Sequence, residues 1–282
     1  MSKNKVTVAI PTFNRSKYIA ESVRSVLNQS FSDFELLIVD NASIDNTHDV
    51  ISNFEDSRIR YIRNNNNIGM MENWNKCIEN ALGDYLLILG DDDILQPEFL
   101  EHSAVMLDTF PSVGFTFCHC NKVNDRGEII QLWGYNFPPA GYIKGVDYLM
   151  LTIKYGCNLT NSSSVLIRKS VFKTIGLFKQ EYGYNTFDFN MWLRIARRFD
   201  LYFIDKRLVN YRIHPEQITE LHWRTQTNPT GLLGSILEII GMIAILIEEK
   251  VSDIDEYNFL AKRLAELNMI SAQSIKKLIA HF

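Results

Sequence analysis

The first hundred residues alternate short apolar runs with segments of helical period, a pattern that restricts the chain to an α/β fold whose strands are mainly parallel. Val6 to Ile10 reads as a buried strand and Phe34 to Val39 as the next. Between them Tyr18, Ile19, Ser22, Val23, Val26 and Leu27 fall on one helical face. Arg58 to Arg63 is a third strand of edge character, followed by the asparagine run Asn64 to Asn67. A helix over Met70 to Leu82 is expected to stop at Gly83 in the left-handed conformation. Tyr85 to Leu89 then forms a strand that runs into Gly90-Asp91-Asp92-Asp93, and Pro97 suits the first turn of the helix after it.

The character changes after residue 110, where Val113 to Phe117 and Ile129 to Trp133 flank an Asn-Asp-Arg-Gly turn and read as a hairpin or a pair of strands. A helix over Val146 to Tyr155, a strand over Ser163 to Ile167 and a helix over Phe187 to Phe199 follow, and the last fifty residues are helical by period. The expected organisation is one main domain over residues 1–220, with halves 1–110 and 111–220, and a helical extension over 221–282. At 282 residues and 46% hydrophobic composition, the chain can bury a core of that size.

A net charge of -4 offers no general attraction to nucleic acid, so no nucleic-acid partner is expected. Cys77, Cys118, Cys120 and Cys157 lack CxxC spacing and no secretory pattern precedes them, which predicts reduced thiols and a cytoplasmic location. The Cys118-His119-Cys120 cluster has no second ligand pair at zinc spacing and reads as core. Gly231 to Ile247 is the most apolar stretch, interrupted by Glu238. It reads as a helix buried in the core or against a partner, with peripheral membrane docking as the alternative.

Three features fall at strand ends, where open α/β sheets bind ligands. Adjacent aspartates repel unless a cation relieves them. Mg²⁺ or Mn²⁺ joins one or two carboxylates to substrate phosphates, so Asp91, Asp92 and Asp93 suggest a nucleotide-diphosphate site; the alternative is an acidic turn in which Asp93 caps the next helix. Pro11-Thr12-Phe13-Asn14-Arg15 leaves the first strand with amide and hydroxyl groups toward the same edge, or else caps a helix through Asn14 or Ser16. Asp40-Asn41-Ala42-Ser43 leaves the second strand, and its carboxylate can accept from a base N–H or a ribose hydroxyl.

These motifs in this order, with Asn67-Ile68-Gly69 and Ala81-Leu82-Gly83-Asp84-Tyr85, resemble the family two glycosyltransferases of GT-A fold over roughly residues 5 to 215. The resemblance implies a donor half (1–110) and an acceptor half (111–220). It places a nucleotide site at Pro11, Thr12, Asn14, Arg15, Asp40, Arg63, Asn67, Gly69 and Asp91, with Thr12 and Asp40 at the base. Asp92, supported by Asp93 and His214, would hold Mn²⁺ or Mg²⁺, His214 coming from a Tyr211-Arg212-Ile213-His214 element. Asp188, ahead of Trp192-Leu193-Arg194, matches the family's catalytic base. Two positions depart from the pattern: Gly90 and Phe187 stand where acidic residues are usual.

The implied activity is inverting transfer of a hexose from a nucleotide-diphosphate sugar, UDP before dTDP, to a glycan or lipid-linked saccharide at the inner face of the cell membrane. A homodimer is compatible with it. Acceptor contacts are expected from Asn136 to Lys144 and Gln180 to Thr186, with Tyr135, Phe137, Tyr142, Tyr182 and Tyr184 as stacking candidates. A catalytically inactive nucleotide-sugar-binding module is the alternative. A nucleotidyltransferase or dinucleotide-dependent oxidoreductase would need a glycine-rich turn after the first strand, and Pro11 to Arg15 contains no glycine.

Overall fold

The structure is a computed structural model that describes residues 4–133, 140–155, 160–179 and 187–217. Its centre is β1 (Val6–Thr12), hydrogen-bonded in parallel to β2 (Phe34–Asp40) on one side and to β4 (Tyr85–Ile88) on the other. β3 (Ile59–Arg63) lies outside β2 as the edge expected of it. The chain therefore steps outward one way from β1 to β3 and then returns to the other flank with β4. That reversal opens a crevice at the carboxyl ends of β1 and β4, where side chains from both strand exits converge.

Alternate β1 residues point to opposite faces and both faces are covered, which explains why every residue of the strand is buried and most are apolar. Val6, Val8 and Ile10 pack with Ile19, Val23 and Val26 of α1 (Ile19–Leu27) and with Leu100 and Leu107 of α4 (Phe99–Thr109). Ala9 faces the other core with Cys77 and Ile78 of α3 (Met70–Asn80) and with Met191, Trp192 and Ile195 of α7 (Phe187–Ala196). Full burial of each large aliphatic side chain contributes about 1.5–3 kcal/mol, so these two layers fix where β1 ends.

The second half extends the sheet beyond β4. β9 (Val165–Arg168) runs antiparallel to β4 and to β6 (Val113–Val123), and β10 (Asp200–Arg212) runs parallel to β6. β6 and β7 (Ile129–Trp133) form the expected hairpin. The sequence reading misses α2 (Thr47–Ser52), the two-residue β5 (Ile94–Leu95) paired with β10, β8 (Gly141–Ile143), α6 (Val171–Ile175) and, above all, β10 itself.

Three expectations are corrected. α3 ends at Asn80 with Ala81 already extended, and Gly83 is not among the residues of positive φ. Glycine is needed there because a Cβ would lie 2.5 Å from the Thr7 nitrogen and 2.6 Å from the Val6 carbonyl carbon. Pro97 precedes the helix instead of entering its first turn, since Glu98 is the N-cap of α4. Asp93 does not cap that helix, because β5 intervenes and its carboxylate is engaged elsewhere.

Cys118 and Cys120 share one core, where burial pushes the Cys118 thiol up to about 12, and His119 points the other way, 3.2 Å from Asp205. Residues 218–282, and with them the expected helical extension and 231–247, lie outside the described residues. Among the described residues no helix is long and apolar enough to cross a membrane.

Candidate active site

A cleft of about 860 Å³ opens at the carboxyl ends of β1 and β4, within the size range of a site that encloses a small organic ligand. Pro11, Thr12, Asn14 and Arg15 line it as expected. The loop that carries them is tied to the loop after β2. The Asn14 N–H donates to Ser43 Oγ at 2.9 Å, the Ile44 N–H donates to Asn14 Oδ1 at 2.9 Å, and the Arg15 N–H donates to Thr47 Oγ1 at 2.9 Å. Asn14 adopts φ 53°, a conformation asparagine tolerates better than most residues.

Asp40 and Arg63 do not line the cleft. Asp40 is fully buried: its Oδ1 accepts from the Ser43 N–H at 2.9 Å and the Ser43 hydroxyl at 2.6 Å, and its Oδ2 accepts from the Tyr61 hydroxyl at 2.6 Å. Arg63 Nε stands 3.4 Å from the same carboxylate. The pair braces the wall of the cleft from behind. Asn67 and Gly69 do line it, with the Asn67 side chain accepting from Asn41 Nδ2 at 2.8 Å and from the Gly69 N–H at 2.9 Å. Asn41, which the sequence reading did not single out, centres this network, its Oδ1 accepting from Asn64 and from the Ile68 N–H.

The three aspartates occupy different environments. Asp91 is pushed up to about 7, first by burial and then by the neighbouring Asp92 charge, with Arg15 opposing at 3.4 Å. Asp92 Oδ2 lies 2.9 Å from His214 Nε2. His214 is buried behind it against the Tyr18 ring at 4.3 Å and does not line the cleft. Asp93, raised by burial and by Asp92, has both oxygens engaged, one by the Ser163 hydroxyl at 2.5 Å and one by the Arg212 N–H at 3.0 Å. Arg212 is itself buried, donating from Nε to the Asp92 carbonyl at 2.9 Å and pairing with Glu21 at 2.6 Å, so β10 and α1 together hold the acidic run in place.

Among the described residues no three His, Cys, Asp or Glu side chains converge on one point, as an all-protein metal cage would require. The donor set nevertheless fits Mg²⁺ or Mn²⁺. These ions accept one or two carboxylates and complete their shell with water and phosphate, and a cation beside Asp91 and Asp92 would relieve the repulsion that raises Asp91. Gly90 has a local reason: a Cβ there would come within 2.9 Å of Asp93 Oδ2 and 3.0 Å of Asp92 Oδ1.

Asp188, in the first turn of α7, lines the same cleft. Its Oδ2 accepts from the Ser162 hydroxyl at 2.7 Å and its Oδ1 from the Phe189 N–H at 2.8 Å. Burial raises its pKa, and those two donors, together with the N–H of Asp188 itself, oppose the rise. Phe187 is buried against Trp74 and Phe178 at ring distances of 5.0 and 5.5 Å, so position 187 belongs to the core, where an acidic side chain would lose its hydration.

Thr160, Asn161, Ser162, Ser163, Asn73, Trp74, Trp133 and Gln217 also line the cleft, none of them anticipated as site residues. Tyr142, an expected stacking residue, instead pairs with Asp200 and packs against Phe110. Tyr135, Phe137, Tyr182 and Tyr184 lie outside the described residues.

The family model for Glycosyl transferase family 2 matches residues 7–176, more than half of the chain. An uncharacterized glycosyltransferase of Rickettsia typhi is 26% identical over 220 residues, 76% of this chain and 65% of that protein. The GalNAc(5)-diNAcBac-PP-undecaprenol beta-1,3-glucosyltransferase of Campylobacter jejuni is 26% identical over 212 residues, 74% and 65% respectively. The chain thus spans just under two thirds of the length of either. Among solved structures, residues 1–349 of Staphylococcus aureus TarS in complex with UDP-GlcNAc give a TM-score of 0.68 at 18% identity, covering 95% of this chain and 74% of that one. A mannosyltransferase from Pyrobaculum calidifontis in complex with GDP-Man and Mn²⁺ gives 0.57 at 14% identity, covering 100% and 80%. With the strand order, the acidic run at the end of β4 and the family match in agreement, the chain belongs to glycosyl transferase family 2 and has the GT-A fold.

Proposed function

We propose that this chain is an inverting glycosyltransferase. It moves a hexose from a nucleotide-diphosphate donor, UDP before dTDP, to a glycan or lipid-linked saccharide. The observation that carries this reading is the meeting of Asp91, Asp92 and Asp93 with Asp188 in one cleft, residues brought together from β4 and α7. UDP-GlcNAc in TarS, GDP-Man with Mn²⁺ in the mannosyltransferase and the undecaprenol-linked substrate named for the Campylobacter enzyme support the donor, metal and acceptor classes.

The donor diphosphate belongs beside Arg15, with the nucleoside toward Pro11, Thr12, Asn67 and Gly69. Asp91 and Asp92 would hold Mn²⁺ or Mg²⁺, which when bound supplies positive charge for the departing diphosphate. Asp188 takes the proton of the acceptor hydroxyl as that oxygen bonds to the anomeric carbon and the bond to the diphosphate oxygen breaks. Water in place of the acceptor gives donor hydrolysis by the same proton movement. One displacement from the side opposite the leaving group inverts the carbon and needs no enzyme nucleophile.

Calorimetric titration of UDP, dTDP and GDP, with and without Mn²⁺, tests the donor site. The expected result is Mn²⁺-dependent binding of UDP, weakened at least about tenfold in Asp92→Asn. Absence of binding by all three nucleotides, with Mn²⁺ and without it, contradicts the reading.

A further inference from the structure

The turn ahead of β9 touches both halves of the proposed chemistry. Because β9 runs antiparallel to β4, with Leu166 opposite Leu87, the residues just before it arrive where β4 ends and the aspartates begin. They form a 3-10 turn, Ser162–Ser164, in which successive side chains point about 120° apart. Ser162 and Ser163 therefore reach in different directions. The Ser162 hydroxyl donates to Asp188 Oδ2 at 2.7 Å, while the Ser163 hydroxyl donates to Asp93 Oδ2 at 2.5 Å and accepts from the Gly90 N–H at 3.0 Å.

The turn is itself anchored. Asn161 Oδ1 accepts from the Ser163 N–H at 2.9 Å, the Ser164 hydroxyl donates to the Asn161 carbonyl at 2.7 Å, and the Thr160 hydroxyl lies 2.7 Å from the Tyr148 hydroxyl on α5 (Gly145–Tyr155).

We propose that Ser162 is a positioning residue for Asp188 and that the adjacent Ser162 and Ser163 fix the base relative to the acidic run. The proposal rests on the reading of Asp188 as the base. Without the Ser162 hydroxyl, Asp188 keeps, among the described residues, only backbone N–H donors, those of Phe189 and of Asp188 itself, so no side chain holds the carboxylate against turning. Among the described residues Tyr148 is the titratable group that faces Asp188 from α5. Burial first, and the Asp188 charge after it, hold the Tyr148 hydroxyl protonated, so it does not exchange a proton with the base near neutral pH.

The test follows hydrolysis of UDP-glucose and UDP-N-acetylglucosamine in Mn²⁺ by the full chain and by Ser162→Ala, Ser162→Thr, Ser163→Ala and Asp188→Asn. For Ser162→Ala, kcat is expected to fall about tenfold or more, with UDP affinity unchanged. The acid limb of the pH profile should move up by about one unit, because a lost donor to the charged form favours protonation. Ser162→Thr, which keeps the hydroxyl, should restore kcat, and Ser163→Ala should weaken UDP binding without moving that limb. Wild-type kcat and limb in Ser162→Ala, with Asp188→Asn inactive, overturn this proposal alone. A folded Ser162→Thr that stays as slow as the alanine variant overturns it too. Full hydrolysis by Asp188→Asn overturns the assignment of the base, and this proposal with it.

Discussion

Asp91 shows what a buried carboxyl beside a second carboxylate costs in stability. Its carboxyl is held near 7 in the folded protein against 3.8 in the unfolded chain, so the folded state binds the proton more tightly. Folding therefore draws stability from the protonated form below about pH 4 and loses it as pH rises through 7. Asp91→Asn should raise the thermal midpoint clearly more at pH 8 than at pH 5, where only part of the loss has set in, a difference that parallel melting curves at the two values measure. Equal shifts at both would contradict the account. Asp91, Asp92, Asp93 and Asp188 were legible in the sequence because carboxylates cluster there against electrostatic cost or follow a recognisable motif. Asp40 was legible only in part, since no pattern reveals that Ser43 and Tyr61 occupy its oxygens. Ser162 was not legible: Thr160-Asn161-Ser162-Ser163-Ser164 has the composition of any polar turn, and its meaning depends on which strand β9 joins.

The parallel strands β1, β2 and β4 were readable because helices bury both of their faces, leaving mainly apolar runs broken only by Thr7 in β1 and Glu35 in β2 before the polar strand ends. β10 escaped notice because Asp205, Lys206 and Arg207 interrupt it, and the pairing with β6 is irregular between Ile204 and Arg207. That strand nevertheless supplies Arg212, which bridges the Asp92 carbonyl and Glu21 of α1. The α3–β4 connection carries a sharp steric requirement at this level. Gly83 sits against the start of β1 while the Thr7 hydroxyl accepts from the Leu82 and Gly83 N–H groups and donates to Glu35. Gly83→Ala should destabilise the protein by about 2 kcal/mol or more, because its Cβ meets β1 backbone that cannot step aside. Chemical denaturation measures this, and an unchanged midpoint would mean that β1 and the connection are less tightly packed than described.

Across the whole molecule, function follows from topology: a reversal of strand order beside β1 opens the cleft, and the antiparallel β9 brings a second set of polar side chains to it. The sequence carried the first of these through its repeating units. The second is a matter of long-range pairing, which local pattern does not encode. The central claim is that Asp188 and the acidic run form one transfer site with separate duties. Release of UDP from a UDP-sugar by Asp188→Asn, measured beside its affinity for UDP in Mn²⁺, tests that claim most directly. The account predicts turnover reduced at least about a hundredfold with affinity within about threefold of wild type. Turnover near wild type, or turnover and affinity lost together in a folded protein, would contradict it.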